Sequence, residues 1–275
     1  MVIVTAANSI RNSWSENTHF SYKSVIQQTV NRAEQFGYHT AVYDLGSLGI
    51  GEPFYIDNPT FQKEGYYAEI QKGYKSRSIF KPDIILHSLE KLKDFTVYLD
   101  GDALLYDSID EVATNDFDVG VTLRRASEMR GQWYQEHYEI VRFVNAGVLF
   151  FNPSAATFTF LRRWKAATEK EGNDQKALNS IVCPDRYPEP YTIANIQGIK
   201  IKYFPGIRYN FYYFDQGFPL TTNVKILHFK GEVRNYYPFT LKKRIYCTLL
   251  SPIIFNVSAL LPSWVKKFLK KRNLF

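Results

Sequence analysis

Apolar positions in this chain fall into short runs and spaced stripes that alternate along its length. Val2–Thr5 is an apolar, β-branched run broken by Ala-Ala-Asn-Ser, which predicts a buried strand ending in a loop. Between Tyr22 and Phe36 apolar residues recur at Val25, Ile26, Val30, Ala33 and Phe36, the spacing of one helical face, and Gly37 supplies the stop. Thr40–Asp44 reads as a second strand, with a Gly-rich loop behind it to Gly51 and irregular loop over residues 52–76. Pro82–Leu92 suits a helix, because proline in a first turn forfeits no hydrogen bond. Phe95–Leu99, Phe117–Leu123, Val144–Phe151, Ile199–Phe204 and Val224–Phe229 are further runs of strand length. Helices are expected from Pro153 to about Thr168 and over Asn173–Val182. This alternation predicts one α/β domain built on a parallel sheet, over residues 1–235, followed by a tail, residues 236–275.

Composition narrows the class. Of 275 residues 45% are hydrophobic and 22% charged, ordinary for a globular chain, which excludes a disordered, collagen-like or polytopic membrane protein. Cys183 and Cys247 are too few for a disulfide framework and lack metal-ligand spacing. No secretory signal is visible at the start, so a cytoplasmic protein is expected. The formal charge is +7, but its distribution matters more than its size. No acidic residue follows Glu232, while residues 233–275 carry nine basic ones, leaving 25 basic and 27 acidic side chains before them, a net of −2. A nucleic-acid binder spreads its basic patch over the fold, so no nucleic-acid partner is expected.

Two constellations carry chemistry. A buried run, Thr96-Val-Tyr-Leu, delivers Asp100-Gly101-Asp102 to the edge of the sheet where α/β folds bind ligands. Alternate residues of an extended chain share a face, so both carboxylates can address one site, with Gly101 allowing close approach. Two hard oxygen donors suit a Mg²⁺ or Mn²⁺ that also holds phosphate. The plainer alternative is a solvated Asp-Gly turn. The second is Val224-Lys-Ile-Leu-His228-Phe-Lys230-Gly231-Glu-Val-Arg234, a strand ending on a histidine with cations just beyond. Neutral imidazole is a good Mn²⁺ ligand, and Lys230 or Arg234 can hold a diphosphate, although a lone His228 also reads as a hydrogen-bonded core residue.

These motifs resemble those of family 8 of the GT-A glycosyltransferases, the glycogenin and bacterial lipopolysaccharide galactosyltransferase group. Asp100-Gly101-Asp102 looks like its DXD motif, and His228 to Arg234 is similar to its His-x-x-Gly-x-x-Lys, with Arg234 for the lysine. Asn235-Tyr236 follow where the family has Pro-Trp, which leaves a neighbouring GT-A family open. Phe143-Val-Asn145-Ala146-Gly147-Val resembles its Asn-Ala/Ser-Gly-Val strand, and Asn173-Asp174-Gln175-Lys-Ala-Leu-Asn179 its Asp-Gln-x-x-Leu-Asn segment.

The resemblance implies a GT-A (Rossmann-like) nucleotide-diphospho-sugar transferase fold with a mixed central sheet and a basic C-terminal helical tail. It implies a metal-dependent transfer, with retention, from a UDP-sugar to a glycan or lipid-linked acceptor. Asp100, Asp102 and His228 would hold Mn²⁺ or Mg²⁺, and Arg234 with Lys230, beside Gly231, would neutralise the diphosphate. Thr5, Ala6 and Asn8 would contact the nucleotide. Lys81, or in competition Arg77, would be the basic residue ahead of the DXD strand, and Asn145, Gly147, Asp174 and Gln175 would line the donor-sugar site. Asn145–Gly147 also reads as a tight strand start, Asp174 as a helix cap, Arg124 and Arg125 as a solvated edge, and Tyr209–Phe214 as core or an acceptor wall.

The tail adds an address. Ile245–Val265 is uncharged and lies between Lys242-Lys243-Arg244 and Lys266-Lys267, close to the ~20 residues of a membrane span. Its two prolines and polar residues suit a segment lying on an anionic membrane with Trp264 at headgroup level, or a helical lid on the domain. Two other classes stay open: a haloacid-dehalogenase-type phosphatase, disfavoured by Leu104 and by the late position of the DXD, and an inactive sugar- or nucleotide-binding module.

Overall fold

The computed structural model describes residues 1–7, 20–45, 48–54, 80–126, 128–130, 132–214 and 223–250. Asn8, Arg77, most of the 52–76 loop and the tail beyond residue 250 lie outside them. The chain opens with β1 (Val2–Ala7), α1 (Tyr22–Gln35), β2 (His39–Asp44) and a two-residue β3 (Glu52–Pro53). There follow α2 (Lys81–Leu92), β4 (Thr96–Asp100), β5 (Ala103–Leu105), β6 (Val119–Leu123) and β7 (Val144–Phe151). The second half holds α3 (Ala155–Glu171), α4 (Asp174–Val182), β8 (Ile193–Ile196), β9 (Ile199–Pro205) and β10 (Ile226–His228).

Local chemistry accounts for the helix ends. Ser21, Ser154 and Asn173 cap α1, α3 and α4, each side chain accepting a backbone N–H of the first turn. Gly172, at φ +64°, ends α3 in the left-handed conformation that glycine adopts without strain.

Eight strands form one mixed sheet in the order β3-β2-β1-β4-β7-β6-β9-β8. From β1 the chain steps outward through β2 to β3, then returns through α2 to β4 on the other side of β1. The strand order therefore reverses between β1 and β4, and a crevice opens beyond their carboxyl ends, where Ala6 pairs with Asp100. Both faces of β1 and β4 are covered. Val2, Val4 and Tyr98 join one hydrophobic cluster, and Ile3, Val97 and Leu99 the other.

A separate pair, β5 with β10 antiparallel, sets His228 opposite Ala103. The Val224–Phe229 run yields only the three paired residues of β10, and β5 is too short to show as a periodic signal. In β7 the pairing with β6 jumps from Leu149 to Asn145, so Ala146–Val148 form a bulge. The apolar face switches parity across it: Val144 and Ala146 face the same cluster as Leu149 and Phe151.

Trp164 of α3 is fully buried, and its indole Nε1 donates to the Asp174 carbonyl at 3.0 Å. Trp164→Ala is expected to cost about 3–5 kcal/mol, through the cavity and the lost partner for that carbonyl. Urea denaturation measures this as a lower midpoint.

Candidate active site

The site grows from the end of β4. Asp100 closes the strand, a tight turn through Gly101 follows, and Asp102 leads into β5. A Cβ on Gly101 would lie 2.7 Å from the Ala7 methyl and 3.2 Å from Tyr22, so glycine lets β1 and α1 close over the turn. The Phe229 N–H donates to the Asp102 carbonyl at 2.8 Å, locking β10 beside it. The result places one ligand atom each from Asp100, Asp102 and His228 within 4.8 Å of one another. His228 Nε2 lies 3.2 Å from Asp102 Oδ1 and 3.9 Å from Asp100 Oδ2.

A hydrogen-bond chain orients the histidine ring. The Gly147 N–H donates to Asn145 Oδ1, to which Asn210 Nδ2 also donates, at 2.8 and 3.0 Å. Asn210 Nδ2 reaches Thr122 Oγ1 as well, so Asn210 Oδ1 is left to accept, and it lies 2.8 Å from His228 Nδ1. Nδ1 is therefore a donor to Asn210, and Nε2 is the nitrogen left facing the two carboxylates. Two hard carboxylate oxygens and an imidazole nitrogen facing one another suit a divalent cation.

Around this group two cations meet three carboxylates. Lys81, in the first turn of α2 and 6% exposed, bridges Asp100 Oδ1 at 3.0 Å and Asp174 Oδ2 at 2.9 Å, and donates to the Ala146 carbonyl. Burial opposes its charge, but the two carboxylates more than offset this and raise its pKa. Asp100 is raised by burial, against the pull of Lys81. Burial also opposes the charge on Asp102, yet His228 and Arg234 hold its carboxyl well below the usual range. Arg234 Nη2 donates to Asp102 Oδ2 and to the Tyr22 hydroxyl, both at 2.8 Å, and the guanidinium sits 5.2 and 5.4 Å from the Phe20 and Tyr22 rings. Lys230 stands 3.3 Å over the Tyr212 ring and 4.0 Å from Glu128, its pKa pushed down to about 7 by burial and Arg124.

A cavity of about 330 Å³, within the range of small-molecule sites, brings together nine of the residues singled out in the sequence. These are Lys81, Asp100, Asp102, Asn145, Gly147, Asp174, Gln175, His228 and Lys230, with Ile140 and Asn173 added. Thr5, Ala6, Gly101, Gly231 and Arg234 lie outside its lining; Thr5 is buried within β1, between Val42 and Leu99. Gly231, at φ +57°, opens the 3₁₀ turn that carries Arg234. Asn173 is the cap of α4, which frees Asp174 to pair with Lys81. Gln175 braces the bulge, accepting from the Ala146 N–H at 2.9 Å and donating to the Val144 carbonyl at 2.6 Å. Sequence reasoning missed Asn210 and Tyr22; a single amide inside the aromatic run Tyr209–Phe214 was the only local sign of the former.

A family model described as nucleotide-diphospho-sugar transferase matches residues 68–235, more than half of the chain. No curated protein matches by sequence. Among solved structures, a glycosyltransferase involved in glycosylation of the major capsid of PBCV-1 is similar at 12% identity and TM-score 0.49, covering 86% of this chain and 98% of its own. The galactosyltransferase LgtC, in complex with donor and acceptor sugar analogs, is 16% identical over 97% of this chain and 99% of its own, with TM-score 0.44. The glycosyltransferase GlyE of Streptococcus pneumoniae TIGR4 is 17% identical over 93% of this chain and 62% of its own, with TM-score 0.46.

Proposed function

Since the chain belongs to the nucleotide-diphospho-sugar transferase family, and is thus a glycosyltransferase rather than a phosphatase, we propose that it transfers a sugar from a UDP-sugar, with retention, in a Mn²⁺- or Mg²⁺-dependent reaction. The observation that carries this reading is the convergence of Asp100, Asp102 and His228 within 4.8 Å at the cavity wall. These three would hold the metal, which when bound supplies Lewis-acid stabilisation of the departing diphosphate.

The remaining roles belong to the protein's own groups. Arg234 and Lys230 neutralise diphosphate charge, with Gly231 giving the turn its bend and Thr5, Ala6 and Gly101 shaping the floor beneath the nucleotide; Asn8 and Arg77 are assigned to it on resemblance alone. Asp174, held in place by Lys81, faces the sugar with Asn145 and Gln175 and stabilises positive charge at its anomeric carbon. Retention is favoured because Asp100, Asp102 and Asp174, the carboxylates lining the cavity among the described residues, are each paired with a cation, which leaves none of them bare to deprotonate an attacking hydroxyl.

Incubation with UDP-sugars tests this. UDP release is expected with Mn²⁺, is abolished by EDTA, and gives a glycoside with the donor's anomeric configuration by NMR. Undiminished turnover in EDTA, or phosphate release from a phosphomonoester, overturns the assignment.

The acceptor we infer to be a glycan carried on a lipid, met by a peripheral, cytoplasmic protein at an anionic membrane surface. Leu241, Ile245 and Leu249 are 73, 50 and 58% exposed at intervals of four residues, beside exposed Lys242 and Arg244. No helix among the described residues is long and apolar enough to cross a membrane. Co-sedimentation with phosphatidylglycerol vesicles is expected, and not with phosphatidylcholine alone. Serine at all three apolar positions should abolish it; absence of binding by the native chain removes this reading of the acceptor.

A further inference from the structure

We infer that Glu128 is a positioning residue: with Tyr212 it seats the Lys230 ammonium at the cavity wall, where that cation meets the diphosphate of the donor. This rests on the donor reading above and adds to it a group, outside the cavity lining, on which diphosphate affinity depends.

Glu128 opens a short 3₁₀ turn, Glu128–Arg130, beyond the end of β6. Its side chain is 17% exposed, and donors reach it from two distant stretches of chain. Oε1 accepts from Arg124 Nη1 at 2.8 Å, while the Tyr212 and Tyr213 hydroxyls both donate to Oε2. The Tyr213 hydroxyl also accepts the Arg125 N–H at 2.8 Å, which fastens the turn to the aromatic run a second time. Burial works against charge on Glu128, yet Lys230, Arg124 and the two hydroxyls hold its carboxyl below the usual range. A carboxylate is thus kept just behind the cavity wall.

Lys230 meets this cluster from the cavity side, where it lines the wall with His228. Its ammonium stands 3.3 Å over the Tyr212 ring and 4.0 Å from Glu128 Oε1. Neither contact is a hydrogen bond to an acceptor atom. The ring face and the carboxylate charge hold the ammonium in place and leave it N–H donors for phosphate oxygens. A lysine stem is flexible, so the position of its charge depends on what holds it. Arg124 works against the charge of Lys230, and Glu128 is the counter-charge the two cations share. Without that carboxylate they repel each other, and the lysine leaves its place over the ring. Glutamine fills the same space but must turn an amide donor toward either Arg124 or the two hydroxyls.

Calorimetry of UDP binding to the full chain in saturating Mn²⁺ tests this without turnover. Lys230→Met should weaken UDP at least ten-fold, and Glu128→Gln at least three-fold. The double variant should bind within two-fold of Lys230→Met alone, because a group that acts through Lys230 then has nothing left to act on. A merely structural role for Glu128 would lower Tm and leave this non-additivity absent. If Glu128→Gln does not fold by near-UV circular dichroism, Tyr212→Leu takes the ring from beneath Lys230, leaves Tyr213 on Glu128, and reads the same cycle with the same expected losses. Native UDP affinity in Lys230→Met or in the folded Glu128 variant, or a loss in the double variant that multiplies the two single losses, overturns the positioning role and leaves the donor reading standing. If the native chain binds no UDP in Mn²⁺, the donor reading falls and the positioning role with it.

Discussion

Asp102→Asn is expected to lower UDP-sugar turnover by about 10³-fold with the fold intact, the scale seen when a preorganised charge-stabilising group is removed. Asparagine is isosteric with aspartate but carries no charge. Its amide nitrogen must face either His228 Nε2, which lies 3.2 Å from Oδ1, or Arg234 Nη2, 2.8 Å from Oδ2. Facing the arginine, it sets donor against donor; facing the histidine, it caps the lone pair that a metal would use. Both arrangements remove one of two anionic ligands, so metal-dependent stabilisation should vanish with turnover. Thermal unfolding with and without Mn²⁺ measures the first and UDP release the second. A variant that keeps a Mn²⁺-dependent shift in Tm and full turnover would exclude Asp102 from the metal site.

Gly147→Ala should be nearly as damaging, for a different reason. A methyl group there would sit 2.3 Å from His228 Cε1 and 2.9 Å from both His228 Nδ1 and Asn145 Oδ1. No flexible chain end is available to yield: the ring is 3% exposed and is bonded through Nδ1 to Asn210. Either the imidazole moves off its ligand position or the β7 bulge shifts. Overpacking of this kind costs about 1–3 kcal/mol, and displacing what orients a metal-binding histidine weakens metal binding by roughly 10–100-fold. Urea denaturation separates the first effect and Mn²⁺ titration the second. Unchanged Mn²⁺ affinity with a lowered urea midpoint would show that the bulge, not the imidazole, gives way, and unchanged values of both would overturn the predicted clash.

How much of this was legible in the chain depends on how far apart the partners lie. The run Thr96–Leu99 announces β4 and delivers Asp100 and Asp102, because a strand buried on both faces is written as a continuous apolar stretch. Val144–Phe151 is read in full for the same reason. The bulge at Ala146–Val148 is not, since it exists only in the register between β7 and β6. Strand β5 has three residues and owes its form to β10, beyond any local window. Asn210 and Tyr22 escape notice because their importance lies in contacts with His228 and Arg234, which no spacing along the chain encodes. Arg234 shows the limit of motif reasoning. Its position marks it as a cation for the diphosphate, while the structure finds it on Asp102.

The β5–β10 pair has a consequence for synthesis of the protein. Asp102 and His228 are 126 residues apart in the chain, and their meeting depends on β10, which follows all the strands of the large sheet. A growing chain can complete most of the large sheet and still present only two carboxylates at its edge. Closing so long a loop comes late for entropic reasons, and here it also brings in Arg234 from the turn just beyond. Nascent or C-terminally clipped chains that end before β10 lack His228, the third member of that group. The full group of Asp100, Asp102 and His228 therefore comes together only once β10 has been made, after every strand of the large sheet.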